Sequence, residues 1–114
     1  MVRGLVQVYD LPALDTALQV LWSGLRDALG RGDVEGAVSL FAETSRDAYR
    51  DQLGALAGVG ALPQIASDLG SISLVTVRMG AVEYDLRAIR DGIEYSFHVL
   101  FVVDRDGRWR LWAL

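Results

Sequence analysis

The hydrophobic period of this chain changes at Ile72, and that change constrains the fold more than any other feature of the sequence. Before this point apolar residues recur every three or four positions, which is the spacing of an amphipathic helix. After it they alternate with polar residues, and β-branched and aromatic residues become frequent. Helices followed by strands predict an α+β fold, with N-terminal helices packed on one face of a curved four-stranded antiparallel meander.

Capping residues and glycines divide the helical half. Asp10 precedes a Leu-Pro pair, an N-cap followed by an early-turn proline, and predicts the start of a long first helix. This helix is expected to end near Gly30, and Asp33 then caps a short second one. A third helix begins near Thr44 or Ser45, and a last short helix follows it. The residues expected on the core side of the first helix are Leu14, Ala17, Leu18, Leu21, Trp22, Leu25, Ala28 and Leu29.

Glycine-bearing turns separate the strands of the second half. The Asp-Gly pair at 91–92 is a strong signal for a two-residue hairpin turn, and it pairs Arg90 with Ile93. The resulting register gathers apolar residues on one face and sets His98 opposite Asp85 on the other. The inner face of this hairpin is expected to hold Val82, Tyr84, Leu86, Ala88, Tyr95, Phe97, Val99 and Phe101.

The last turn is predicted to be a three-residue loop, with Gly107 in a left-handed bulge, because a two-residue loop would bury Arg110. An earlier turn at 79–80 lets Val75 and Val77 join the inner face. The bulged register sends Trp109, Leu111 and Ala113 inward. It also leaves an outer apolar cluster, a candidate interface formed by Leu100, Val102, Trp112 and Leu114.

Composition excludes several classes of function. The net charge is -4 and the pI is about 4.8, so the chain offers no attractive field to nucleic acid or to an anionic membrane surface. There is no cysteine and only one histidine, His98, which argues against thiolate catalysis and against a metal site. No glycine-rich phosphate loop follows a strand and opens a helix, and we therefore expect no cofactor.

Three segments resemble a known superfamily: Gly32–Ala37, Ala81–Tyr84 and the terminal Asp106–Leu111. With the order of elements over Leu11–Leu114, they make the chain similar to bacterial members of the nuclear transport factor 2-like superfamily of cystatin-like cones. The resemblance implies a sheet curved around the first helix. The superfamily includes isomerases, dehydratases, transport factors and domains that only bind, so membership by itself leaves function open.

Catalytic members of that superfamily hold an acid-base pair inside the cone. On the registers above, the inner face carries tyrosines and every strand carboxylate points outward, so we expect a non-catalytic interaction or accessory domain. The alternative is a binder of, or an enzyme acting on, a small apolar molecule in the cone. The candidate lining of that cavity is Trp22, Tyr49, Tyr84 and Tyr95.

The outer face of the sheet carries two further candidates. His98 and Asp85 are expected to form a cross-strand ion pair rather than a catalytic pair, because the outer face lacks enclosure. The apolar cluster that contains Trp112 has the composition of an interface, with a tryptophan inside a charged border. We expect it to support a homodimer or to bind another protein.

Residues 1–9 fall outside the resemblance and allow two interpretations. Their β-prone residues followed by Asp-Leu-Pro fit a linker after the last strand of a preceding β domain, and they equally fit an extra edge strand of this domain. A fragment of a longer multidomain protein would be exported, whereas a free-standing domain would be cytoplasmic.

Overall fold

The structure, a computed structural model, describes residues 10–114 apart from the side chain of Arg90. In this part of the chain the helices are α1 (Leu11–Gly30), α2 (Val34–Val38), α3 (Arg46–Gly58) and α4 (Leu62–Asp68). The strands are β1 (Ile72–Arg78), β2 (Ala81–Arg90), β3 (Ile93–Val103) and β4 (Trp109–Ala113), which form one antiparallel sheet in that order. The predicted α+β fold is confirmed. The two interpretations of residues 1–9 concern a segment outside the described residues.

The predicted caps hold the helices in place. The Ala13 N–H donates to Asp10 Oδ1 at 3.2 Å, and the Gly36 N–H donates to Asp33 Oδ1 at 2.9 Å. Each carboxylate satisfies a backbone donor that a helix start would otherwise leave unpaired. Along α1 the apolar residues recur at helical spacing, so they form one stripe that faces the core. The buried residues of this stripe are Leu18, Trp22, Leu25, Ala28 and Leu29.

The β2–β3 hairpin has the predicted register. Arg90 pairs with Ile93, and Asp91 (φ 51°) and Gly92 (φ 77°) adopt the left-handed backbone that a tight two-residue turn requires. From this turn the ladder continues without a shift to the pair of Ala81 and Val102. The apolar face predicted for this hairpin is therefore confirmed as one surface of the sheet.

The β3–β4 hairpin follows the prediction near its turn and departs from it at its end. Gly107 has φ 79°, and Trp109 pairs with Val103 as predicted. Beyond the next inward residue the ladder shifts, and Ala113 pairs with Leu100, a position predicted for Trp112. Trp112 is thus the extra residue of a bulge.

Contacts with the helical half account for the shift in β4. The Leu111 N–H donates to the Leu40 carbonyl at 2.9 Å, and the Leu111 carbonyl accepts from the Ala42 N–H at 2.7 Å. The Trp112 carbonyl accepts from the Ser45 hydroxyl at 2.9 Å. These bonds hold the end of β4 to the segment between α2 and α3, and the ladder to β3 loses one residue as a result.

A second bulge corrects the prediction for β1. Val77 pairs with Val82 as expected, but the register shifts between Thr76 and Leu74, so that Val75 is an exposed, unpaired residue. The predicted inner position of Val75 is wrong, and Leu74 stands opposite Tyr84 instead. A bulge adds one residue to one strand and so reverses which side chains face inward beyond it.

The β2–β3 hairpin extends beyond the rest of the sheet. β1 ends opposite Leu86 and β4 ends opposite Leu100, so residues 87–96 form a two-stranded segment. Together with Phe97 and His98, which have no partner in β4, this segment is called the distal ribbon. Such ribbons are marginally stable in water unless a third layer or strand supports them. Its exposed apolar residues are Ile89 (73%), Ile93 (55%), Tyr95 (41%) and Phe97 (48%).

Replacing Gly54 by alanine should stabilise the protein by about 0.5–1 kcal/mol. Gly54 lies inside α3, and no heavy atom lies within 4 Å of a Cβ built there. Alanine therefore reduces the entropy of the unfolded chain without a clash. Gly60→Ala is the matched control: its site is equally open, but its φ of +70° should make alanine destabilising. Urea unfolding of both variants measures the difference, and equal effects would contradict it.

Candidate functional site

The four side chains predicted to line a pocket do not come together in one. The Trp22 side chain is buried, and its Nε1–H donates to the Gly70 carbonyl at 3.0 Å. Tyr84 is fully buried in the core, and Tyr95 lies on the distal ribbon, where its ring stacks near Phe97 with centroids 6.2 Å apart. Of the four, Tyr49 lines the apolar cavity described below.

Tyr84 belongs to an enclosed pair that the sequence analysis missed. Its hydroxyl donates to Asp15 Oδ1 at 2.5 Å, and Gln19 Nε2 donates to the same oxygen at 3.4 Å. Burial, followed by the hydrogen bond and the charge of Asp15, raises the pKa of the Tyr84 phenol. Asp15 lies three positions before Leu18 and seven before Trp22. This helical spacing is the sequence signal that indicates a carboxylate on the buried side of α1.

An apolar cavity of about 150 Å³, here called the inner cavity, lies among the helices and the end of β4. The ring of Tyr49 stacks on Phe41 with centroids 4.0 Å apart, and its hydroxyl accepts the Leu114 N–H at 3.1 Å. The Gln52 amide is the other side-chain polar group in the lining. The remaining lining residues are Leu25, Leu29, Leu53, Leu56, Ile65 and Leu69, together with Phe41 and Leu114.

A second cavity of about 190 Å³, the mouth cavity, adjoins the first. The two share Leu69 and Leu114, so an apolar path connects the helices with the start of the distal ribbon. Leu114 was predicted on the outer face, and the structure instead places it in this path because the bulge at Trp112 reverses the inward and outward positions. The other residues of the mouth cavity are Asp68, Leu86, Ala88 and Phe97.

The outer face of the sheet retains an apolar cluster of Leu100, Val102 and Trp112. The first two are half-buried, while Trp112 is 43% exposed. Charged side chains border the cluster: Arg110 Nη2 lies 2.9 Å from Asp106 Oδ2. A side chain as large as tryptophan is suited to anchor a contact when it remains exposed inside such a border.

His98 finds a partner other than the predicted one. Its Nδ1 lies 3.3 Å from Glu83 Oε2, although its backbone faces Asp85 across the hairpin. Asp85 accepts a hydrogen bond from the Ser96 hydroxyl and lies 3.4 Å from Arg87 Nε. The Ser96 hydrogen bond is the main cause that lowers the pKa of the Asp85 carboxyl. Asp85 is occupied by Ser96 and Arg87, and His98 contacts Glu83 in place of the expected partner.

Two general features bear on partners. Within residues 10–114, no three histidine, aspartate or glutamate side chains gather as a metal site would require. Among the helices of the same segment, none combines the length and the hydropathy that crossing a membrane requires. Neither feature selects a function for the cavities or the outer face.

Comparison of the chain with family models, with curated proteins and with solved structures gives no match in any of the three. The geometry of the cavities and of the outer face is therefore the basis on which function is inferred.

Proposed function

We propose that this chain is a non-catalytic interaction or accessory domain of the nuclear transport factor 2-like type. Three features support the architecture: helices that precede the strands, a long first helix on the inner face, and a sheet with two bulges. The contacts from α1 to the sheet support it as well, since Gln19 Nε2 donates to the Ile72 carbonyl at 3.0 Å. A bulge bends its strand, which favours a curved sheet.

The separation of the two cavities from the pair of Tyr84 and Asp15 carries the proposal that the domain only binds. In the enclosed pair, the Tyr84 side chain has no exposed surface and Asp15 is half-buried. The inner and mouth cavities have other linings, in which apolar side chains predominate. Acid-base catalysis needs titratable groups that work together within hydrogen-bond reach of the substrate. The enclosed pair does not border these cavities, and Asp68 in the mouth cavity is the one carboxylate side chain among the described residues of the two linings.

The partner that fits the outer face is another protein with an apolar patch. Trp112 supplies the anchor, and Leu100 and Val102 form the half-buried floor beside it. The border is of mixed charge, since Glu83 stands opposite Leu100 and Arg110 stands opposite Val102. An apolar centre within a polar rim is the usual anatomy of a protein interface.

A photo-crosslinking residue at position 112 tests this surface in cells that produce the protein. We expect one discrete adduct, which is lost when Leu100→Asp is added. The same residue at position 20 is the control. Val20 is exposed on α1, and this helix packs on the inner face of the sheet, opposite the outer face. Equal labelling at both positions, or no adduct at position 112, would contradict the proposal.

The inner cavity favours a second candidate function, the binding of a small apolar molecule. Its volume of about 150 Å³ equals that of an engineered protein cavity that stays dry and binds benzene. The Gln52 amide and the Tyr49 hydroxyl could orient one polar group of such a ligand. The mouth cavity offers a route of entry from the distal ribbon.

Toluene and indole serve as probes of this cavity. At a probe concentration ten times its dissociation constant, the protein should gain about 1.4 kcal/mol of stability. Leu56→Phe should abolish the gain, since Leu56 lines the cavity and is only half-buried. Val59→Phe adds a ring at an exposed site outside the lining and should keep it. Thermal unfolding measures both, and a gain that survives Leu56→Phe would place the probe elsewhere.

A further inference from the structure

One edge of the distal ribbon has no strand beside it within residues 10–114. β2 pairs with β3 from its first residue, whereas β4 pairs with β3 only from Leu100 to Val103. Leu114 does not extend β4 along this edge, because its N–H donates to the Tyr49 hydroxyl at 3.1 Å. An unpaired strand edge is a template for another strand.

The backbone groups that this edge presents belong to Glu94, Ser96 and His98. In an antiparallel ladder, alternate residues direct their N–H and C=O groups to opposite sides. The Val103 N–H donates to Gly80 on the β2 side, and the Asp104 N–H donates to Arg108 on the β4 side. The β2–β3 ladder has no shift, so every even-numbered residue of β3 points away from β2.

The sequence of this edge is complementary to itself about Ser96. When two copies pair antiparallel with Ser96 on the twofold axis, Glu94 faces the partner's His98 and Tyr95 faces the partner's Phe97. The imidazole of His98 can donate a hydrogen bond to the partner's Glu94 carboxylate, and aromatic pairs are among the cross-strand combinations that stabilise sheets. The same alignment joins the residues whose backbone groups are free, which gives about six hydrogen bonds between the copies.

We propose that two copies of this chain associate by antiparallel pairing of their β3 edges over residues 94–98, with the axis at Ser96. The pairing supplies a neighbouring strand to the distal ribbon and covers the exposed rings of Tyr95 and Phe97 with those of the second copy. It uses an edge of the sheet rather than its outer face, so it is independent of the surface proposed above for another protein.

Ser96→Pro in the full-length chain tests the proposal by sedimentation equilibrium. The Ser96 N–H faces away from β2, so proline removes no hydrogen bond of the hairpin itself, and the dissociation constant of the dimer should rise at least about tenfold. Ser96→Ala is the matched control: it removes the hydroxyl that bonds to Asp85 but keeps the N–H, and the dimer should persist. Circular dichroism verifies that both variants fold.

Cysteine cross-linking tests the register, because the natural chain has no cysteine. Ser96→Cys should oxidise to a disulfide-linked dimer, since directly opposed residues have Cα atoms about 5.5 Å apart. Glu94→Cys alone should not, because its two copies would lie about 13 Å apart along the strands. A mixture of Glu94→Cys and His98→Cys should give the mixed dimer.

Three results would overturn the proposal. A wild-type chain that stays monomeric at several hundred micromolar would do so, as would a dimer unaffected by Ser96→Pro. Efficient cross-linking of Glu94→Cys with itself would show a different register. If the wild type is monomeric and the edge instead binds a strand of another protein, self-association is likewise excluded.

Discussion

Trp22→Ala should lower the free energy of unfolding by about 3–5 kcal/mol, because it removes a large aromatic side chain from the centre of the core. Trp22 is 2% exposed and lies on the α1 stripe between helix and sheet. Its indole N–H also satisfies the Gly70 carbonyl at 3.0 Å. Urea unfolding measured by circular dichroism gives the value directly.

Trp22→Phe separates the two contributions. Phenylalanine retains most of the apolar volume but cannot donate to the Gly70 carbonyl, and we expect a cost of about 1–2 kcal/mol. That carbonyl lies where the chain passes close to β2, since any side chain at Gly70 would collide with the Arg87 carbonyl. An alanine variant that loses less than the phenylalanine variant would show that Trp22 does not organise this junction.

The sequence predicts the helices and the central hairpin because local signals determine them. The caps at Asp10 and Asp33 are short-range, and the Asp91–Gly92 turn fixes the whole β2–β3 ladder from one end. A period of two then decides which side chains face inward. Each of these features depends on residues only a few positions apart, so a single sequence contains the necessary information.

The bulge at Trp112 could not be predicted in the same way, because distant contacts accompany it. The shift at Trp112 accompanies two hydrogen bonds, one from the Leu111 N–H to the Leu40 carbonyl and one from the Ala42 N–H to the Leu111 carbonyl, across some 70 positions of sequence. It moves Leu114 from the outer face into the two cavities. A register shift of one residue in the β3–β4 ladder thus changed the predicted membership of both the outer cluster and the cavity lining.

The enclosed pair shows a different limit of the sequence analysis. Helical spacing puts Asp15 on the same side of α1 as Leu18 and Trp22, and the hairpin register puts Tyr84 on the inner face of the sheet. The hydrogen bond between them could be inferred only once the position of α1 on the sheet was known. Carboxylates on amphipathic helices are usually solvated, which is why this one was overlooked. Its pairing with a phenol explains why a carboxylate is tolerated at that position.

Tyr84→Phe should therefore destabilise the protein by about 1.5–3 kcal/mol near neutral pH, the usual range for a hydrogen bond to a charged group. The substitution keeps the ring in the core, where Tyr84 packs edge-on against Phe101 with centroids 5.3 Å apart. Asp15 would retain only the longer bond from Gln19, at 3.4 Å. Asp15→Asn tests the same bond from the other side and should cost less, because an amide oxygen can still accept from the phenol.

The pH dependence of this loss gives the sharper test. Burial and Asp15 raise the pKa of the Tyr84 phenol above its ordinary value of 10.0, so the phenol is protonated in both the folded and the unfolded state below pH 10. Above pH 10 the unfolded chain loses this proton while the folded protein keeps it. Wild-type stability should then fall by up to about 1.4 kcal/mol per pH unit, until the folded phenol ionises as well.

Tyr84→Phe lacks this component, so the difference in stability between the two proteins should shrink as the pH rises from 9 to 11. Taking the difference removes the contributions of all other groups, which both proteins share. Urea unfolding at half-unit steps of pH measures it. If the two stability curves stay parallel over that range, the Tyr84 phenol ionises as readily in the folded protein as in the unfolded chain, and the enclosed pair with Asp15 does not exist in solution.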